Sequence, residues 1–182
     1  MPFPKKISNE AILEHALQIV RADGLAALSM RELAASLGVQ ASSLYHHYQG
    51  REDLEAALAG RAAAELEARM RIASEGRSPE DAFRAVGWEY VRFAREDQAL
   101  FELLIGPHDP GPEGKSLWNL ILRVVAGITG DPDDSSSAVA VWSFLHGFAV
   151  LDQSGQFGAS GPQQGYLTGI EALIAGLPRR LQ

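Results

Sequence analysis

The sequence predicts an all-α protein of about nine helices, with a small helix-turn-helix head at residues 1–52 and a helical-bundle body at residues 53–182. Apolar residues recur at helical spacing along most of the chain, and no stretch alternates in the way a strand does. Ser, Asp, Gly and Pro stand where the predicted helices begin and end. A chain of 182 residues is long enough to bury a sizeable core.

Composition narrows the class of protein. The chain has no cysteine, so we expect neither a disulfide framework nor a thiolate metal site. The start, MPFPKKIS, lacks the apolar region of a signal peptide, and no run is long enough to span a bilayer, so we expect a soluble, cytoplasmic protein with no membrane partner. Residues 1–50 carry four Lys/Arg and four Asp/Glu, so residues 51–182 carry the whole net charge of −7.

The first two helices have clear signals at their ends. Apolar residues at helical spacing predict a helix from Ile7 to Asp23. Ser29 followed by Glu32 is a capping box, which predicts a second helix that starts at about Met30. Gly38 ends that helix, because glycine readily adopts the positive φ of a helix C-terminus. The turn is so short that the next helix must cross steeply, as in a helix-turn-helix.

The third helix, predicted from about Ala41 to Tyr48, has one apolar and one polar face. Leu44 and Tyr48 are spaced for the inner face. The outer face is short, polar and aromatic, with Gln40, Ser42, Ser43, Tyr45, His46 and His47. Such groups suit base edges, thymine methyls and phosphates, so this helix is predicted to enter the major groove of DNA.

Two further basic groups are candidates for phosphate binding. Arg51 stands at the start of the next helix, where a side chain and free backbone N–H groups grip a phosphate together. Lys5 and Lys6 either lie along the DNA backbone or in a minor groove, or are two solvated lysines near the terminus. His46 and His47 do not suggest a metal site, since adjacent helical residues point about 100° apart.

The pattern L-x-x-R-E-L-A-x-x-L-G-V-x-x-x-x-L-Y-x-H-Y-x-x-[KR]-x-x-L, within residues 8–60, resembles the DNA-binding domain of the TetR/AcrR family of transcriptional regulators. The resemblance implies base or phosphate contacts from Arg31, Gln40, Ser42, Tyr45 and His47. It also implies that Arg51, where the family often has Lys, binds the DNA backbone. Gly50, where the family more often has Ser, Asn or Asp, and the weak N-cap Gln40 depart from the family pattern.

The body is predicted to contain the remaining helices. A long helix runs from Arg51 to about Ser74 and connects the head to the body. Ser78 and Pro79 begin another helix, and Asp97 caps a short one from Ala99 to Ile105. The Gly- and Pro-rich segment GPHDPGPEG is predicted as a loop, and further helices are predicted at 115–129, 136–157 and 163–177.

Two features of the body suggest partners. The helix at 136–157 is apolar on nearly every side, so we expect it to form, with 163–177, a four-helix interface in a homodimer. Large aromatic residues are hard to pack in a small helical body without leaving a cleft, although each alone is more often core. The predicted ligand-binding residues are Trp88, Phe101, Trp118, Trp142 and His146. His146 is either a ligand contact or a hydrogen-bonded core residue.

Trp142, His146 and Gly147 also resemble the Trp, His-Gly (WHG) signature of one TetR subgroup. We therefore expect a ligand-responsive, DNA-binding repressor that binds a palindromic operator as a homodimer and is released by a small apolar effector. The alternative is an all-α small-molecule-binding or interaction protein without sequence-specific DNA binding. Because no nucleophile motif, paired catalytic carboxylates or metal-ligand cluster is visible, we expect no enzyme activity, no cofactor and no metal.

Overall fold

The structure, a computed structural model, describes residues 7–158 and 163–179. These residues form nine α-helices, a 3-10 helix at Leu25–Ala27 and no strand, which confirms the predicted all-α fold. None of the helices in this part of the chain has the length and apolar character needed to cross a membrane. The helices are α1 (Asn9–Asp23), α2 (Met30–Leu37), α3 (Ala41–Leu44), α4 (Arg51–Ser74), α5 (Pro79–Glu96), α6 (Gln98–Ile105), α7 (Gly111–Thr129), α8 (Ser135–Gln153) and α9 (Gln163–Gly176).

The chain divides into two compact units. One contains the residues up to Ala62 together with Ala99–Pro112, and the other contains Ala63–Gln98 and the residues from Glu113 onward. The first unit is therefore larger than the predicted head at residues 1–52, because it includes the first half of α4 and nearly all of α6. The division between the units falls inside α4. A functional boundary at residue 52, with a body at residues 53–182, stays a prediction.

In the first unit, local capping sets the ends of α1 and α2. Ser8 Oγ accepts a hydrogen bond from Ala11 N–H (3.2 Å), and Ser29 Oγ accepts one from Glu32 N–H (3.1 Å). Gly38 is left-handed, with φ 67° and ψ 30°, and the next N–H, that of Val39, donates to Ala34 O (3.0 Å). The predicted start and end of α2 are thus correct.

The third helix is shorter than predicted, since α3 ends at Leu44 rather than at Tyr48. The N–H groups of His47 and Tyr48 both donate to Leu44 O, each at 2.9 Å, so the chain continues as a turn. Gln40 makes no side-chain hydrogen bond at the N-terminus of α3. A helix this short is marginal by itself, so packing rather than intrinsic propensity determines its position.

Other helix ends differ from the prediction for local reasons. α1 begins at Asn9 rather than Ile7, because Ser8 is its N-cap. α7 begins at Gly111 rather than Lys115, within the segment predicted as a loop. Asp109 Oδ1 accepts a hydrogen bond from Gly111 N–H (2.9 Å), and the first turn of α7 contains a proline and a glutamate, which both favour a helix start.

In the second unit, α5 packs against α8 and α9. Ser78 caps α5 as predicted, accepting a hydrogen bond from Asp81 N–H (3.2 Å). The helices approach closely at Gly87, where an added Cβ would lie 2.7 Å from the Tyr166 hydroxyl and 3.2 Å from Leu145 Cδ2. Gly87 is therefore needed for this packing.

Candidate nucleic-acid interface

Two buried side chains orient the residues from Ala41 to Tyr48, called the recognition segment below. Leu44 is fully buried and Tyr48 nearly so, which places the opposite side of the segment in solvent. Tyr45 is 55% exposed there. The exposed residues predicted to read bases or phosphates are called the recognition rim below, and they are Arg31, Gln40, Ser42, Tyr45 and His46. The predicted division between an inner and an outer face is therefore correct for Gln40, Ser42, Tyr45 and His46.

Ser43 and His47 are half-buried, so the structure does not place them fully on the rim. His47 Nδ1 lies 2.5 Å from Asn9 Oδ1. An amide oxygen can only accept, so Nδ1 carries the proton in this contact and Nε2 is left as an acceptor in the neutral ring. His47 thus links the recognition segment to the start of α1 and retains one nitrogen for an outside donor.

The start of α4 is tied to the end of the recognition segment. Asp53 Oδ2 accepts a hydrogen bond from Gln49 N–H (2.9 Å), which satisfies a backbone donor before the helix begins. Burial, and next the carboxylates of Asp53 and Glu10, raise the pKa of Tyr48, so its phenol stays neutral. These contacts hold the connection between the rim and α4 in one conformation.

Arg51 is held inside the first unit by two contacts. Its Nε donates to Glu55 Oε1 (2.6 Å), and its Nη2 donates to Leu25 O (3.0 Å). The side chain is still 45% exposed. Because a guanidinium has five N–H donors, the remaining ones suffice for a phosphate. Lys5 and Lys6 lie outside the described residues.

The predicted ligand-binding residues are divided between the two compact units. Trp118 and Trp142 have ring centroids 5.5 Å apart, and Trp88 packs edge-on against Tyr166 at 5.5 Å. Phe101 is fully buried and belongs to the other compact unit. A single ligand site formed by these residues stays a prediction.

His146 has a partner within the protein. Its Nδ1 lies 3.1 Å from the Tyr90 hydroxyl, which also has a hydrogen bond with Trp142. Since the indole N–H only donates, the Tyr90 oxygen accepts from Trp142 and its O–H is left to donate to His146. Burial raises the pKa of Tyr90 to about 12, so the donor proton is retained. The geometry favours the core interpretation of His146.

Sequence reasoning missed three residues. Tyr166 is almost fully buried, and its hydroxyl has no hydrogen-bond partner among the described residues. The buried carboxylate of Glu55 contacts Arg51 and His108. The spacing from Arg51 to Glu55 signals an ion pair on one helix face, and the spacing from Tyr166 to Ile170 signals burial. No sequence signal points to His108.

Several apolar side chains remain exposed on α8 and α9. On α8, Val139, Trp142 and Val150 follow one another at helical spacing and are exposed. On α9, Leu167 is 49% exposed, and the two helices pack against each other. This surface, called the α8–α9 face below, is the kind of apolar area that marks a protein interface.

Comparison with known proteins identifies both parts of the chain. A family described as "Bacterial regulatory proteins, tetR family" matches residues 12–58. A second, described as "Tetracyclin repressor-like, C-terminal domain", matches residues 83–174, half of the chain. Assignment to the WHG subgroup stays a prediction.

Individual relatives agree with this result. An uncharacterized HTH-type transcriptional regulator from Mycobacterium tuberculosis, Rv0681, is 27% identical over 97% of this chain and 84% of its own length. YobS, another uncharacterized HTH-type regulator, from Bacillus subtilis, is 28% identical over 80% of this chain and 78% of its own.

Solved structures share the fold. A protein of unknown function from Rhodococcus sp. RHA1 has a TM-score of 0.80 at 25% identity, covering 98% of this chain and all of that one. A TetR variant from Acinetobacter baumannii, solved in complex with minocycline, has a TM-score of 0.72 at 21% identity and covers 93% and 96% of the two chains. The helical fold, the exposed recognition segment and the two family matches together show that this chain belongs to the TetR family of DNA-binding transcriptional regulators.

Proposed function

We propose that the protein is a homodimeric, ligand-responsive repressor that binds a palindromic operator and is released from it by a small apolar effector. The observation that carries the proposal is the recognition rim, a polar and aromatic surface on a segment anchored by Leu44 and Tyr48. Such a regulator acts in the cytoplasm, where bacterial DNA lies. It needs neither a cofactor nor an enzymatic reaction.

The chemistry of the rim matches that of base edges. Arginine pairs with guanine O6 and N7, glutamine pairs with adenine, and an aromatic ring packs on a thymine methyl. Arg31, Gln40 and Tyr45 supply these three groups, all exposed. The alternative, an all-α binding protein without sequence-specific DNA recognition, gives no reason for a tyrosine as exposed as Tyr45 on this segment.

Selection of duplexes from random DNA by the purified protein at about 100 mM salt should enrich a roughly palindromic sequence. On that operator, Tyr45→Ala should cost about 1–3 kcal/mol of binding free energy and relax the base preference at particular positions. Gln18→Ala, an exposed change on α1, is the control and should alter neither. Without any enriched sequence, the alternative function would replace the proposed one.

The α8–α9 face supports dimerisation through residues 136–157 and 163–177. A second copy that covers these exposed apolar side chains would remove their surface from water, which is energetically favourable. A dimer would present two recognition segments about 34–36 Å apart, or at a multiple of that distance, which matches successive major grooves. Operator affinity should therefore depend on this face even though it touches no DNA.

Leu167→Glu should convert the dimer to monomers and weaken operator binding, because a charge would be buried at the interface. Leu167 is exposed in the protomer, so the substitution leaves its core intact. Ile72→Glu, an exposed change on another helix, α4, is the matched control and should stay dimeric. Light scattering at micromolar concentration measures both, and a monomeric wild-type protein would refute the dimer.

Effector binding is supported by a buried hydroxyl group without a hydrogen-bond partner among the described residues, near an apolar crevice in the second unit. The crevice, of about 10 Å³, lies between α5, α7 and α8 and is lined by Phe83, Val86, Gly87, Ile121, Val125 and Leu145, among others. The Tyr166 hydroxyl lies next to Gly87 and lacks a partner among the described residues. A buried hydroxyl without a partner costs about 1–3 kcal/mol, which a ligand that accepts its hydrogen bond would recover.

Effector entry would have to change the packing around the crevice. The crevice holds at most one water molecule, so an effector must part the helices in order to enter. Such a ligand prefers a rearranged state, and a coupling of about 1–3 kcal/mol would weaken operator binding by about 5–150-fold. The effector is accordingly apolar, with one hydrogen-bond acceptor for Tyr166. Trp88, which packs on Tyr166, and the Trp118–Trp142 pair would report its entry.

Tryptophan fluorescence titrated with apolar metabolites and drugs should identify a compound that also releases bound DNA. Tyr166→Phe should weaken binding of that compound by about 1 kcal/mol, because the hydrogen bond to the ligand is lost. The thermal stability of the free protein should not fall, because the removed hydroxyl has no partner among the described residues. Tyr90→Phe is the contrasting control. It removes a hydroxyl bonded to His146 and should lower stability by about 1 kcal/mol. Should no compound release DNA, the ligand-gated part of the proposal fails.

A further inference from the structure

Glu55 is an unusual residue in the first unit, because it is a carboxylate with a side chain only 8% exposed. A buried charge is costly unless cations or hydrogen-bond donors compensate it. Two groups do so here. Arg51 Nε donates to Oε1 at 2.6 Å, and His108 Nε2 lies 3.6 Å from Oε2.

The two partners come from different parts of the chain. Arg51 is one turn before Glu55 and is the first residue of α4, three residues after Tyr48. His108 is in the connection between α6 and α7, and all three residues belong to the same compact unit. Glu55 thus joins the proposed phosphate contact to a segment far away in sequence.

The contacts of Arg51 restrict how its guanidinium can move. One edge is held by Glu55 and by the carbonyl of Leu25, at 2.6 and 3.0 Å. These bonds use two of the five N–H donors and leave the others for solvent. An arginine side chain loses rotamer entropy when a ligand immobilises it, and a side chain that is already held has lost most of that entropy beforehand.

We propose that Glu55 and His108 are positioning residues for DNA binding: Glu55 holds the guanidinium of Arg51 ready for one phosphate, and His108 holds the second carboxylate oxygen in place. This inference rests on the proposed function. It assigns the α6–α7 connection an indirect effect on the DNA contact, because displacement of His108 alters the surroundings of Glu55 and, through Glu55, of Arg51.

Electrostatic repulsion and positioning predict opposite effects on DNA affinity when the charge of Glu55 is removed. Removal of a negative charge near DNA should strengthen binding, since phosphates repel carboxylates. Positioning predicts that Glu55→Gln weakens binding although it removes that repulsion. Glu52→Gln removes an equal charge from an exposed residue of the same helical turn and is the matched control.

The test uses the full chain and two duplexes of equal length, the selected operator and a random sequence, with affinity measured across a salt series. Glu55→Gln should lower the affinity for both duplexes about fivefold to tenfold. The slope of log affinity against log salt should become shallower by about the amount expected for one phosphate contact. His108→Gln should weaken binding in the same direction but less. Glu52→Gln should bind as tightly as the wild type or more tightly.

A double-mutant cycle separates positioning from loss of structure. In an Arg51→Ala background, Glu55→Gln should no longer weaken binding, because there is no guanidinium left to hold. If circular dichroism shows that Glu55→Gln does not fold, Glu55→Asp replaces it, since the shorter carboxylate withdraws from Arg51, and the same loss is expected.

Two results would overturn the inference. Unchanged or tighter binding by Glu55→Gln, with the wild-type salt slope, would overturn it and leave the proposed function standing. Equal weakening by Glu55→Gln with and without Arg51 would also overturn it, because the effect would then not pass through Arg51. A wild-type protein that binds neither duplex would overturn the proposed function itself, and this inference with it.

Discussion

The direction of the recognition rim depends on the burial of Leu44 and Tyr48 on the opposite side of the same segment. With only four residues, α3 cannot stabilise itself by backbone hydrogen bonds, so tertiary packing must hold it. The left-handed turn at Gly38 brings the chain from α2 into this position. Because Leu44 and Tyr48 are buried on one side of the segment, Tyr45 lies on the opposite side and is exposed to solvent. The chemistry offered to DNA is therefore a consequence of the packing on the inner side.

Charge limits where DNA can bind. The lysines, arginines and acids of residues 1–50 balance, and the net charge of −7 lies in the rest of the chain. Many arginines of the second unit are already paired: Arg69 with Glu65 and Glu96, Arg84 with Glu171, and Arg95 with Asp152. Cations engaged in this way leave few charges to attract phosphates. An acidic body therefore disfavours non-specific coating of DNA.

Local signals predicted the structure well, whereas long-range contacts escaped prediction. Ser29 and Gly38 marked the ends of α2 correctly, because capping involves only a few neighbouring residues. The predicted end of α3 was wrong, because the turn in which two N–H groups donate to Leu44 O has no distinct sequence pattern. Phe101 was grouped with the tryptophans because all are aromatic, although α6 places it in the other unit. The contact of His108 with Glu55 depends on tertiary structure, because the two residues are 53 positions apart in the chain (108 − 55).

The central claim is that the anchored segment from Ala41 to Tyr48 reads base pairs in two symmetric half-sites. Base-resolved footprinting of the wild-type protein on its selected operator tests this most directly. The account predicts two equivalent protected stretches, related by the operator dyad, with major-groove protection centred one helical turn of about 34–36 Å apart or a multiple of it. A single asymmetric footprint, or protection of the phosphates with no base in either major groove protected, would contradict it.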